Sequence, residues 1–410
     1  MSQQTPNRAV EDAVPAGARI VGIDVARALA VFGMFTVHLG VGAIGLLPDD
    51  PAEIVHGIAR GRSSALFAFL AGVSLALVSG RSQPLAGQPL HRLRLRLLVR
   101  ATILIVLGAL LDVLGTRVAV ILAYYGGYFV LALPLLRLRA PALAATAAAI
   151  WLVGPQASFV LRGLLGTSDY PQSSVDGPLD FLLTGYYPAF TFMAFVVAGM
   201  AVGRLDLSAG RVRAWLAGVG LGLVTLGYGG SWLALHPLGG LERLTHALSP
   251  AAAAGQAQTD LAYQQMVREW VSEQIGSLHG RVPTDTPLWL LVASPHSGTS
   301  FEIAGAVGAA LLVLVACLVA ADFLGAVCYP LAAAGAMALT VYVGHIVVIA
   351  LIGAAPEDTA PFRLELFLVG ALAFATLWRL LLGRGPLERG VSWASTVAAD
   401  AAAPPDQPRR

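Results

Sequence analysis

Three ionisable residues fall within the first apolar stretch of the chain, ARIVGIDVARALAVFGMFTVHLGVG: Asp24, Arg27 and His38. Arg27 and His38 are eleven residues apart, which on an α-helix is three turns to within about 20°. They therefore share a face, about 16 Å apart, with Asp24 one turn before Arg27. Ionisable groups within a bilayer are costly, so each is a functional candidate. The face runs from a charged mouth to an imidazole near mid-membrane. That suits an elongated anionic ligand whose phosphates meet arginine and whose reacting end meets histidine. A simpler reading stays open for Arg27, as a topology anchor paired with Asp24.

Other candidates lie further along. GAMALTVYVGHIVVIAL offers Thr340, Tyr342 and His345, and His345 is placed to face His38 or to bond a carbonyl on a neighbouring helix. In SPHSGTSFEIAG, His296 sits at the mouth of a span as an acceptor-side candidate. Thr299 and Glu302 there have the spacing of a capping box, which explains Glu302 without chemistry. HGIARGRSSALFAFLAG brings His56, Arg60 and Arg62 before the second apolar run. Arg62 at a helix start opposes the macrodipole, so a buried ion pair or a ligand contact is expected, with Asp112 as a partner. The basic stretch HRLRLRLLVR holds Arg92, Arg94, Arg96 and Arg100, a topology signal that also serves to collect phosphates.

These residues need a membrane-spanning scaffold. Hydrophobic residues make up 57% of the chain and charged residues 12%, about half the charged share of a soluble domain. An all-α polytopic membrane bundle of about ten helices is expected, with spans near 26–47, 63–80, 98–115, 118–136, 140–161, 186–203, 212–235, 300–322, 332–354 and 364–382. All 26 basic residues are arginine, and with both termini cytoplasmic 18 of them fall inside and 8 outside, as the positive-inside rule requires. The first run is not expected to be a cleaved signal, because Asp24 and Arg27 open it and no small-residue cleavage site follows.

One membrane domain over residues 18–394 is expected, between disordered tails at 1–17 and 395–410. Two long extracytoplasmic loops, 162–185 and 236–299, interrupt it. The second contains TDLAYQQMVREWVSEQIG, whose Leu261, Met266, Trp270, Val271 and Ile275 suggest an amphipathic helix on the membrane surface or capping the bundle. No solenoid period or inverted duplication is visible. Cys317 and Cys328 lie in or just after one apolar run, so no disulfide framework is implied. The chain has no GxxxxGK[ST], CxxC, HExxH or GxSxG and no carboxylate-rich cluster, so no ATPase engine, serine-hydrolase elbow or metal is expected.

RIVGIDVARALAVFGMFTVHLG followed by GRSSALFAFLAGVSLALVSG resembles the bacterial heparan-alpha-glucosaminide N-acetyltransferase-like family. Further matches are Tyr186–Leu207, Pro295–Glu302, Ala332–His345 and Gly383–Glu388. The spacing from Arg27 to His38 is also similar to the arginine–histidine motif of the wider acyltransferase-3-like superfamily. The resemblance implies a multi-pass plasma (inner) membrane enzyme that takes an acyl group, in the first place acetyl, from cytosolic acyl-CoA. Its acceptor would be a sugar, glycan or small molecule on the far side. The family's catalytic histidine follows the first span, which points to His56; the superfamily motif points to His38, which is preferred.

In this reading Arg27 and Asp24, with Arg94 and Arg96, serve the donor, and Arg62, His296 and His345 serve the acceptor. The expected partners are the lipid bilayer, acyl-CoA and the acceptor, with no nucleic acid and a homodimer left open. The alternatives are an exporter of a small anionic or lipid-linked solute, using the same buried groups as its path, and a non-catalytic membrane partner protein.

Overall fold

A computed structural model describes residues 20–166, 177–249, 261–276 and 278–401. Among them the chain is helical, with no strands. α1 (Val21–Leu39), α2 (Asp49–Ala59), α3 (Arg62–Val78) and α4 (Gly87–Asp112) are followed by α5 (Leu122–Ala132), α6 (Ala140–Leu165), α7 (Ala189–Gly203) and α8 (Gly210–Val224). A π-helical turn at Thr225–Gly229 leads into α9 (Gly230–Leu235), then α10 (Gly240–Leu248) and α11 (Leu261–Gly276). α12 (Ser300–Leu324), α13 (Tyr329–Ala336), α14 (Ala338–Ile352), α15 (Arg363–Leu382) and α16 (Pro386–Ala401) complete the order.

Among the described residues, six helical stretches are long and apolar enough to cross a bilayer: Val21–Leu39, Asp49–Val78, Ala140–Leu165, Gly210–Leu235, Ser300–Ala336 and Arg363–Leu382. Ala189–Gly203 and Ala338–Ile352 are apolar but shorter. Two other expected spans depart from that standard for physical reasons. The first half of α4 carries Arg92, Arg94, Arg96 and Arg100, and the α-helical part of α5 has 11 residues, about 17 Å against the ~30 Å of a hydrocarbon core.

The sequence buries its helices unequally. α15 leaves Leu366, Val369, Leu377, Leu380 and Leu381 exposed, the outer face of a helix suited to lipid. α1 is the opposite case. It buries thirteen of its nineteen residues and packs against α3, α12 and α13. Close approach there depends on glycine: a Cβ on Gly335 of α13 would lie 1.7 Å from the Asp24 carbonyl oxygen of α1. The tight α3–α7 pair works the same way, since a Cβ on Gly72 would lie 1.9 Å from the Val196 carbonyl and one on Gly199 would lie 1.9 Å from that of Phe69.

A second, smaller core gathers Leu235, Leu244, Val267, Val271, Leu278, Val282, Trp289 and Val292. The amphipathic helix expected from residue 259 is α11, with Val267 and Val271 in this core and Met266 and Trp270 exposed. Residues 259 and 260 lie outside the described residues, as do the expected disordered N-terminal tail at 1–17 and residues 167–176 of the loop at 162–185. Residues 395–401, expected to belong to a disordered tail, are helical: α16 continues to Ala401, because Val391, Ser395 and Ala399 form a buried stripe packed on α4. Residues 402–410 lie outside the described residues.

Arg204, just beyond α7, is buried and ties three segments together. It donates to the carbonyls of Ala76 (3.1 Å), Ser79 (3.3 Å) and Arg81 (2.9 Å) at the end of α3, and to Leu138 (3.2 Å) and Leu136 before α6. Helix ends leave such carbonyls without intrahelical partners, and a guanidinium supplies donors in a fixed fork. Arg204→Ala is expected to cost about 3 kcal/mol or more, as several buried charge-assisted bonds are lost at once. Arg204→Lys should rescue little, because an ammonium cannot span the five oxygens. Thermal unfolding of the detergent-purified variants checks both.

Candidate functional site

The site is built on α1. At one end Arg27 donates to Asp24 (2.5 Å) and to the Ser74 hydroxyl of α3 (2.7 Å). Arg27, Ser74, Arg100, Tyr125, Tyr342 and Glu388 line a cavity of about 360 Å³. The Arg100 guanidinium on α4 lies in the field of Arg27, Arg384 and the Glu388 carboxylate. Arg27 and Arg100 thus meet at one mouth, with Arg384 nearby and the carboxylates of Asp24 and Glu388 beside them.

Glu388, on α16, explains how a broken helix is held. α13 and α14 are separated at Met337 (φ −119°), which leaves the first N–H groups of α14 without helical partners. The Glu388 carboxylate accepts from Leu339 N (2.9 Å), Thr340 N (3.1 Å) and the Thr340 hydroxyl (2.6 Å). A negative charge at a helix N-terminus is also favoured by the macrodipole. Thr340 is therefore part of this cap, and α14 is fixed in a position that presents Tyr342 and His345 inward.

Near the other end of α1, His38 Nδ1 lies 2.9 Å from His345 Nε2, with the two rings within 7° of parallel. Phe35 stacks on His345 at 4.4 Å and Tyr342 meets it edge-on at 5.1 Å. The direction of the proton between the rings follows from the surroundings. His345 Nδ1 makes no well-formed hydrogen bond among the described residues, and its backbone neighbours are the Val341 and Tyr342 carbonyls of its own helix. Acceptors on that side favour Nδ1–H in a neutral His345, whose Nε2 then accepts from His38 Nδ1–H. The lone pair of the pair is left on His38 Nε2.

Beyond His38 lies the loop that precedes α12. His296 has φ +61° and Gly298 φ +66°, and a Cβ on Gly61 would press within 3.1 Å of Pro295 Cα. The backbone N–H groups of His296 and Gly298 donate to the Glu302 carboxylate, which holds the loop in this conformation. The expected capping box is thus half present. Thr299 Oγ1 accepts from Glu302 N at 3.1 Å, but the carboxylate reaches past the cap to the loop. His296 packs edge-on to Tyr187 at 5.9 Å, with His279, Arg60 and His38 as its basic neighbours.

Arg62 donates to the Tyr228 hydroxyl (2.9 Å) and the Gly57 carbonyl (2.9 Å), with its guanidinium 4.6 Å from the centre of the Tyr228 ring. The carboxylate in its field is that of Glu302, whereas Asp112 lies near Tyr124 and Tyr342; the expected Arg62–Asp112 pair is replaced by this arrangement. His56, on α2, lies beside the Val37 carbonyl. The structure therefore brings His38, His345 and His296 together at one end of the site and Asp24, Arg27 and Arg100 at the other. Arg94 and Arg96 do not line the cavity, and Arg96 lies 3.8 Å from Asp400 on the protein surface. Glu388 and Tyr125 were missed by spacing arguments, and Arg100 was read only as one member of its basic run. Arg100 is the last arginine of its basic run, farthest into the apolar part of α4, which is the signal that could have singled it out. No group of three or more His, Cys, Asp or Glu side chains among the described residues is arranged to hold a metal ion.

The family profile described as heparan-alpha-glucosaminide N-acetyltransferase, catalytic, matches residues 19–223. No curated protein matches the chain. The matched half contains Asp24, Arg27, His38, Ser74, Arg100 and Tyr125, while His296, Tyr342, His345 and Glu388 come from the other half and complete the site in space.

Burial, and then the basic neighbours His279, Arg60 and His38, push the His296 imidazole down to about 3 from 6.5. The unfolded chain therefore takes up this proton first. The contribution of His296 to stability is intact above about pH 6.5 and is lost as pH falls towards 3. Thermal stability in detergent should drop between about pH 7 and about pH 4, and His296→Gln should flatten that part of the profile.

Proposed function

From the premise that the chain belongs to the heparan-alpha-glucosaminide N-acetyltransferase catalytic family, we propose that it transfers an acyl group, in the first place acetyl, from cytosolic acyl-CoA to a sugar or glycan hydroxyl or amine on the far side of the membrane. The observation that carries the reading is the His38–His345 contact of 2.9 Å, on the same helix as the Arg27 cavity mouth. An anion-binding mouth and a neutral imidazole with an available lone pair are the two ends an acyl-CoA-dependent transferase needs.

The ten-span arrangement, with both termini cytoplasmic in the plasma membrane, puts the Arg27–Arg100 mouth on the donor side and the His296 loop on the acceptor side. The donor phosphates bind at Arg27, Arg100 and Arg384. Arg96, one turn from Arg100 on α4, and Arg94 before it extend the positive field that gathers them. The pantetheine arm follows α1 towards His38. His38 Nε2 takes the proton of the acceptor hydroxyl or amine as its oxygen or nitrogen attacks the thioester carbonyl. The tetrahedral intermediate collapses with loss of the thiolate, which recovers a proton from His38, so acyl-acceptor and free CoA leave. His345 keeps His38 in the reactive tautomer and shares its positive charge while the proton is held. His296 and Arg62 orient the acceptor from the loop side, and His56 lies beside the Val37 carbonyl, one residue from His38.

One observation favours the exporter as a second reading: the break in helix between α13 and α14 at Met337, since discontinuous helices form solute sites in transporters. Here, however, the exposed helix N-terminus is already filled by Glu388, which weighs towards a fixed site.

Calorimetry with acetyl-CoA on detergent-purified protein separates the readings. Arg27→Ala and Arg100→Ala should each weaken acetyl-CoA binding by about tenfold or more, the value of a charge-assisted contact. His38→Ala should bind acetyl-CoA normally but lose transfer by about 100-fold or more, as expected for removal of a general base. Well-folded wild-type protein that binds no acyl-CoA would discard the transferase reading and make solute transport the next assay.

A further inference from the structure

Tyr125 is the residue of the cavity wall that the site, as described, leaves without a task. It lies on α5, is 5% exposed, and has a buried hydroxyl with no hydrogen-bond partner among the described residues. Its neighbours show how unusual this is. Tyr124 OH accepts from Tyr186 N (2.9 Å), Tyr128 OH donates to the Tyr187 carbonyl (2.5 Å) and Tyr342 OH accepts from Ile121 N (3.2 Å). A buried hydroxyl without a partner carries its full desolvation cost, so phenylalanine would be the better residue if packing were the only demand.

Position gives the hydroxyl a use. Tyr125 lines the same cavity as Arg27 and Arg100. Its ring packs on Phe67 at 5.1 Å, and Phe67 stacks on Tyr342 at 6.4 Å, the residue that meets His345 edge-on. Tyr125 thus joins the cavity wall to the ring contacts that lead on to the histidine pair. A ligand held by its phosphates at the arginines would bring its far, uncharged end here. The natural complement to a lone phenol O–H in an apolar wall is a carbonyl oxygen.

Resting on the acyl-CoA reading above, we propose that the Tyr125 hydroxyl donates a hydrogen bond to the thioester carbonyl oxygen of the bound acyl donor. Tyr125 therefore recognises the acylated donor over free CoA, which lacks that carbonyl. When the acceptor attacks, the same oxygen gains negative charge and the bond strengthens, so Tyr125 also stabilises the oxyanion. No proton is transferred by Tyr125; it is a donor throughout.

The test is calorimetric binding of acetyl-CoA and of free CoA to the full-length detergent-purified wild type and Tyr125→Phe, with thermal unfolding of both. Wild type should bind acetyl-CoA about five- to tenfold more tightly than CoA, the worth of one buried hydrogen bond. Tyr125→Phe should lose that preference, keep the affinity for CoA, and unfold at the same temperature or higher, because no protein hydrogen bond is removed. Tyr128→Phe is the contrast, since it orphans the Tyr187 carbonyl and should unfold at a lower temperature. An unchanged acetyl-CoA preference in Tyr125→Phe, or no preference in wild type, overturns the assignment while leaving the donor site intact. Wild type that binds neither compound overturns the acyl-CoA reading itself and the assignment with it.

Discussion

An imidazole placed inside an apolar helix bundle must find a partner that is itself tolerable there. A carboxylate would bring a second charge to desolvate, and water would need room that a packed bundle lacks. The partner found is another neutral imidazole, His345, 2.9 Å from His38. Much of the structure follows from bringing those two rings together. α14 must present His345 to α1, so the preceding helix is interrupted at Met337, and Gly335 lets α13 lie directly on the Asp24 carbonyl. Phe35 and Tyr342 then fill the space around the His345 ring and hold it in plane.

A related demand shapes three other charged groups, each of which is spent on backbone ends. Glu388 caps α14, Arg204 collects five carbonyls from the ends of α3 and the segment before α6, and Glu302 holds two N–H groups of the His296 loop. Irregular backbone is permissible in a membrane protein where side chains satisfy it. Each of these ions makes one irregularity affordable, and two of the three irregularities border the site. The C-terminal helix α16 belongs to this design. Through Glu388 it links the arginine mouth, where Arg100 feels its charge, to the helix that carries His345.

The legible part of the site was the part written within one helix. The α1 face with Asp24, Arg27 and His38 follows from helical periodicity alone, and the short range of the Asp24–Arg27 pair follows with it. His345 was recognisable as an ionisable group in an apolar run, but its two candidate partners could not be separated. Arg94 and Arg96 looked equal to Arg100, because a run of arginines at alternating positions does not reveal which one turns towards the cavity. Arg62 stood out at a helix start, yet its aromatic partner comes from a π-helical turn 166 residues away, which no spacing could indicate.

By itself, then, the sequence determined the helical membrane class, the family signature and the charged face of α1. Composition and periodicity are local properties, and a bilayer forces long apolar runs to be helices. Tertiary structure alone decided which imidazole meets His38 across 307 residues, which arginine joins Arg27, and that the buried Tyr125 hydroxyl has no partner among the described residues. Those outcomes depend on how helices are rotated and how closely glycines let them approach. Rotation and approach are set by packing among all the helices together, and no single helix encodes them.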